Sequence, residues 1–158
     1  MNDDVNQASE EDGLYLTVKI GPQPFGIPVH CVHDVSKAQS ITKVPLAPPE
    51  VAGALNLRGR IVTVIDVAKK LGLRNVVGGE DNTYMYVVIE HEGELYSLMV
   101  DSVGDVMSPS PQSFEQNPAN MESGWRDVSA GVYRLDGELL VLLDISRFFA
   151  GNSVVIAA

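Results

Sequence analysis

Tyr15-Leu-Thr-Val-Lys-Ile-Gly-Pro-Gln-Pro-Phe-Gly-Ile-Pro-Val29 and Tyr86-Val-Val-Ile-Glu-His-Glu-Gly-Glu-Leu-Tyr-Ser-Leu-Met-Val100 align without a gap at an offset of 71 residues. Each reads as a β-hairpin: a run of aromatic and branched residues, a turn containing Gly, then a second run. At the same offset Val32, Asp34 and Val35 fall on Val103, Asp105 and Val106. Farther on, Arg58-Gly-Arg-Ile-Val-Thr-Val-Ile-Asp-Val-Ala-Lys-Lys-Leu71 matches Asp136-Gly-Glu-Leu-Leu-Val-Leu-Leu-Asp-Ile-Ser-Arg-Phe-Phe149 at an offset of 78. The second copy therefore carries seven extra residues, which fall in the Pro- and Asn-containing stretch from about Ser108 to Gly124. Two segments in the same order, with Gly59/Gly137 and Asp66/Asp144 in register, mark an internal duplication.

The pattern within a copy is that of a small antiparallel β module ending in a short helix. Ile61–Ile65 is a five-residue buried strand, Asp66 sits where an N-cap belongs, Val67–Leu71 follows as the helix, and Gly72 is its stop. Ala47–Leu55, opened by proline, reads as a short helical turn, and residues 74–82 read as a surface loop. Residues 1–13 read as a disordered acidic tail and 151–158 as a C-terminal tail, leaving one domain over 14–150 with lobes at about 14–82 and 83–150. A single copy of that size makes a marginal core, so the copies are expected to pack on each other and leave a groove between them. The expected fold class is all-β, mainly strand with short helices.

Bulk composition bounds the function. The net charge of −10, with scattered Lys and Arg, argues against a protein that grips phosphate backbones, so no nucleic-acid partner is expected. No apolar run approaches the ~20 residues that span a bilayer, and the start carries Asp3, Asp4, Glu10, Glu11 and Asp12 where a secretory signal is positive. Direct membrane insertion is not expected. One cysteine, Cys31, builds no internal disulfide framework, which fits a reducing cytoplasm.

No catalytic constellation emerges. His30-Cys31-Val32-His33 offers three metal-ligand types, but residues three apart on a strand point to opposite faces, and the remaining His91 lies beside a turn. These read as strand-end residues, Cys31 as a small buried hydrophobe, and no metal or cofactor is expected. Val76-Val-Gly-Gly79 lacks the strand, helix and lysine of a phosphate loop. Asp34, Asp66, Asp105 and Asp144 recur at matched positions, which favours capping and turn anchoring over acid–base catalysis. That leaves Asn56-Leu-Arg-Gly59. Arg58 is either a solvated guanidinium on a plain turn or the organiser of a surface that another protein touches, paired with Asp34. The residues leave both readings open. Its repeat mate is Asp136, so the feature belongs to one copy only.

Val51-Ala-Gly-Ala-Leu-Asn-Leu-Arg-Gly-Arg-Ile-Val-Thr-Val-Ile-Asp-Val67 resembles the signature region of CheW-type chemotaxis coupling domains, a Gly ahead of Leu-Arg-Gly and a hydrophobic strand ending in Asp. Phe25-Gly-Ile, Val32-His-Asp-Val35, Val100-Asp-Ser-Val-Gly-Asp-Val106 and Leu140-Val-Leu-Leu-Asp144 look like further family segments, and together they cover about 14–150. The resemblance implies two intertwined SH3-like five-stranded β-barrels. It implies a non-enzymatic adaptor in the cytoplasm, recruited to receptor arrays at the inner membrane, joining chemoreceptor cytoplasmic tips to the regulatory domain of the CheA histidine kinase. Carried over residue by residue, it assigns Val32, Asp34, Gly53, Asn56, Arg58 and Gly59 to the receptor-binding surface, with Asp34 replacing the usual Glu. Tyr84, Met85 and Tyr86 are weaker candidates for the kinase contact on the second copy, and the stretch 108–124 helps form array contacts in relatives. The start at Met1 and the acidic tail favour a free-standing coupler. The alternatives are a small-molecule-binding β-barrel and a stand-alone relative of the kinase regulatory domain; a hydrolase using His33 and an Asp lacks a positioned nucleophile.

Overall fold

In the computed structural model, which describes residues 13–37, 40–72, 84–121 and 123–150, eleven strands form two sheets. The first copy supplies β1 (Tyr15–Ile20), β2 (Gln23–Pro28), β3 (Val32–Ser36), β4 (Val51–Leu57), β5 (Arg60–Asp66) and helix α1 (Val67–Lys70). The second supplies β6 (Met85–His91), β7 (Glu94–Val100), β8 (Ser102–Met107), β10 (Ser129–Leu135), β11 (Glu138–Leu143) and α3 (Ile145–Phe149). Between β8 and β10 lie the two-residue β9 (Phe114–Glu115) and α2 (Ser123–Arg126). The expected tail 1–13, save residue 13, the expected tail 151–158 and the expected loop 74–82 lie outside the described residues.

The sheets do not follow the copies. One has the order β8-β1-β2-β11-β10-β9 and the other β3-β6-β7-β5-β4. Each thus takes the leading hairpin of one copy and the third, fourth and fifth strands of the other. The registers repeat the duplication: Phe25 lies opposite Val141 in the parallel pair β2–β11, and their mates Tyr96 and Thr63 lie opposite each other in the parallel pair β7–β5. The boundary near residue 82 therefore divides sequence copies, not sheets. The expectation of intertwined lobes holds, with six strands in one sheet because β9 adds to its edge.

The main core follows from this exchange. Leu16, Val18 and Ile20 of β1, with Phe25 and Ile27 of β2, meet Val87 and Ile89 of β6 and Tyr96, Leu98 and Val100 of β7 in one buried cluster. The alternation along β6 sends Tyr86 to the opposite face, into a second cluster with Leu55, Val62 and Val64. The central strands of the five-stranded sheet are thus apolar on both faces. Both short helices start alike: a carboxylate oxygen of Asp66 accepts from the Lys69 N–H at 3.1 Å, and one of Asp144 accepts from the Arg147 N–H at 3.1 Å.

One expected element is wrong. Ala47–Leu55 is not a helical turn, because β4 begins at Val51 and pairs along its length with β5. Its alanines and leucine suit a helix, but the pairing with β5 decides the conformation. Gly53 adopts φ 154° at a bulge, and a Cβ there would sit 2.5 Å from the Thr42 carbonyl oxygen. Gly131 makes the same bulge in β10 at φ 139°, beneath the Phe114 ring.

The Ser97 side chain, fully buried on β7, has a hydroxyl with no hydrogen-bond partner among the described residues. Ser97→Ala removes a desolvated polar group at little loss of volume, so stability is expected to stay level or rise by about 1 kcal/mol, read from denaturant midpoints. A loss of more than about 1 kcal/mol means that the hydroxyl has a partner in solution.

Candidate functional site

The two-residue turn between β4 and β5 is Arg58-Gly59, with Leu57 opposite Arg60. Arg58 has φ 52° and Gly59 φ 87°, a pair of left-handed residues of the kind that suits tight hairpins. Glycine enters that region freely, whereas arginine pays about 1–2 kcal/mol. The Asn56 side chain supports the turn, its carbonyl oxygen accepting from the Gly59 N–H at 2.8 Å. The strain holds the guanidinium out in water, with 83% of the side chain exposed.

Across from it, Asp34 stands on β3. A terminal nitrogen of Arg58 lies 4.0 Å from an Asp34 carboxylate oxygen, a loose ion pair at the limit of direct contact. The other Asp34 oxygen accepts from the Val35 N–H at 2.9 Å, which steadies the carboxylate. The pairing nominated from sequence is therefore formed, and the short Asp side chain leaves it open rather than tight. Such a pair adds little to stability and leaves most of Arg58's donors unused. Leu57, Arg60, His33 and Leu95 complete a small hollow around the pair. Beside it, His33 and Glu90 are joined at 2.6 Å.

The other nominated residues are placed as follows. Asn56 and Gly59 are exposed on the turn, and Val32 is half-buried at the start of β3, packed against the main core. Gly53 is buried, and its missing Cβ leaves room for Ile41 and Thr42 of its own chain. It shapes the surface without presenting to it. Tyr86, expected on a kinase-facing surface, is only 6% exposed and fills the second core, which corrects that expectation. Tyr84 and Met85 are half-buried. Burial first, then the carboxylates of Asp66 and Asp101, raises the Tyr84 phenol above its usual value, so it stays neutral.

Two residues escaped the sequence reading. Ile61, opposite Asn56, is 62% exposed and lines a groove with Ser40, Thr42, Ala54, Leu55 and Asn56. Arg60 shares the hollow with Arg58. The signal was present for Ile61, since alternation from buried Val62 turns it outward, but a five-residue apolar run suggests burial throughout. No group of His, Cys, Asp or Glu among the described residues is arranged to hold a metal. The surface has apolar grooves, two cations and a strained turn, the equipment of a protein-binding face.

Comparison with known proteins agrees with this layout. The family pattern of the CheW-like domain matches residues 14–152. Chemotaxis protein CheW of Treponema pallidum (strain Nichols) is 24% identical over 148 residues, covering 92% of this chain and 87% of that one. Chemotaxis protein CheW of Thermotoga maritima is 28% identical over 132 residues, with 84% of each covered. Among solved structures, scaffolding protein TtCheW from Thermoanaerobacter tengcongensis superposes with a TM-score of 0.77 at 27% identity, covering 88% of this chain and 93% of that one.

If Arg58 is held for display and not for stability, Arg58→Gly relieves the turn. The variant is expected to match the parent or gain up to about 1 kcal/mol in a denaturant melt. Arg58→Val is expected to lose more than about 1 kcal/mol, because a branched residue tolerates φ 52° worst. A destabilised glycine variant would make Arg58 a structural residue.

Proposed function

This chain belongs to the family of CheW-like domains and is a chemotaxis scaffold, and we propose that it acts as a non-enzymatic adaptor between chemoreceptor cytoplasmic tips and the CheA histidine kinase. The match of residues 14–152 to the CheW-like domain carries this reading, and the exposure of Arg58 supports a receptor side on the β4–β5 turn. Val32, Asp34, Asn56, Arg58 and Gly59 form the receptor-facing surface, with Gly53 shaping the strand beneath it. An Arg fork left largely unsatisfied suits a carboxylate on a partner helix, and Ile61 offers apolar area next to it. Tyr84 and Met85, with the half-buried rim of the second lobe, are the proposed kinase-facing side.

The place of action is the cytoplasm, at receptor arrays on the inner membrane. No helix among the described residues is long and apolar enough to cross a membrane. A ligand-binding barrel is not favoured: Leu55, Val62, Val64 and Tyr86 fill the interior of the five-stranded sheet with side chains.

Co-sedimentation with receptor-containing membranes, with and without CheA, tests the adaptor. The chain is expected to pellet with receptor alone and to carry CheA into the pellet. Arg58→Glu is expected to weaken the receptor step at least tenfold, about 1.4 kcal/mol or more, with the thermal midpoint unchanged. Absence of any three-component complex sinks the proposal.

A further inference from the structure

The turns that close the β4–β5 and β10–β11 hairpins share strand register and glycine conformation and are opposite in charge, while only Arg58, not its mate Asp136, takes a left-handed φ. Leu57 lies opposite Arg60 in one and Leu135 opposite Glu138 in the other, and the glycines between them, Gly59 and Gly137, have φ 87° and 85°. The same bulge precedes both, at Gly53 and Gly131. Yet the first turn reads Arg58-Gly59-Arg60 and the second Asp136-Gly137-Glu138.

The inversion extends to the surroundings. Beside the first turn stands Asp34, so two guanidiniums face one carboxylate. Its repeat mate is Asp105 on β8, so the positions matching Arg58, Arg60 and Asp34 are all carboxylates, each on an exposed residue. Arg134, the mate of Asn56, is paired with Glu115 in a two-pronged contact at 2.6 and 3.1 Å. That pairing also draws the Glu115 carboxyl below its usual range. Part of the apolar surround is kept: Leu57 and Leu135 are both half-buried, as are Val32 and Val103, while Val35 and Val106 are both exposed; exposed Ile61 differs, its mate Leu139 being half-buried beside Met121 and Trp125. The acids do not cluster as a metal site, since no such group occurs among the described residues.

We propose that this charge inversion confines an acidic receptor segment to one lobe. Asp136 and Glu138, with Asp105, repel it from the positions that match the receptor-facing ones in strand register. A duplicated fold would by default offer two equivalent docking faces; reversing the charge of one leaves a single site and a single orientation. The proposal rests on the reading of Arg58 as the receptor-facing residue.

Titration calorimetry tests it, using a chemoreceptor cytoplasmic fragment that the wild-type chain binds, added to wild type and to Asp136→Arg/Glu138→Arg. Wild type is expected to bind one equivalent, at least tenfold weaker in Arg58→Glu. The double variant is expected to bind two, the second surviving Arg58→Glu and fading with added salt. All three substituted residues are exposed, so the melts should superimpose. A double variant that stays at one equivalent, while wild-type binding still depends on Arg58, overturns the inference alone. Wild-type binding that ignores Arg58 overturns the receptor-facing reading itself.

Discussion

The four strand pairs that join one sequence copy to the other hold this fold together. β1 with β8 and β3 with β6 are antiparallel, while β2 with β11 and β5 with β7 are parallel. Each sheet is incomplete without a hairpin from the other copy, and the main core is lined from both. The parallel pairs link positions far apart in the chain, Phe25 with Val141 and Thr63 with Tyr96. Such pairing returns nothing until distant segments have met, so the lobes should form together and not one after the other.

The exchange also makes the molecule close to symmetric, so its function must come from what breaks the symmetry. One break is the seven-residue excess of the second copy. Just after it stands Trp125, whose indole N–H donates to the Leu71 carbonyl at 3.1 Å and whose ring meets Phe25 edge-on at 5.6 Å between centroids. That segment ties the second copy to the end of α1 in the first. It also packs Met121 and Trp125 near Leu139, whereas the mate of Leu139 is the exposed Ile61. The other break is the charge of the β4–β5 and β10–β11 turns. The exposed Ile61 and the exposed Arg58 and Arg60 thus coincide on the lobe built from β3 to β7.

Much of this was legible in the residues, and the rest was lost for identifiable reasons. The duplication showed because strand and turn residues recur at offsets of 71 and then 78, and the registers of the matched strand pairs respect them. Asp66 and Asp144 were readable as caps because capping is local. The Arg58–Asp34 pair was readable from the asymmetry at position 136 and from the family resemblance. The hairpin exchange was not legible strand by strand, because a hairpin's own pattern does not say which sheet it joins. β4 was mistaken for a helical turn because Ala, Gly and Leu carry weak β preference, and pairing with β5 overrode it. Tyr86 was placed outside because its position on β6 was known before the face it occupies.

The account stands on the claim that neither copy is a folding unit and that the receptor-facing surface exists only when both are present. Residues 1–82 and 83–158, made as separate polypeptides, test this directly in amide-proton NMR spectra. Each alone is predicted to give collapsed, undispersed amide signals and no receptor binding. Mixed in equal amounts they are predicted to recover a dispersed spectrum, one cooperative melt and Arg58-dependent binding. A dispersed spectrum and cooperative melt from either piece alone would contradict the exchange as the foundation of the fold.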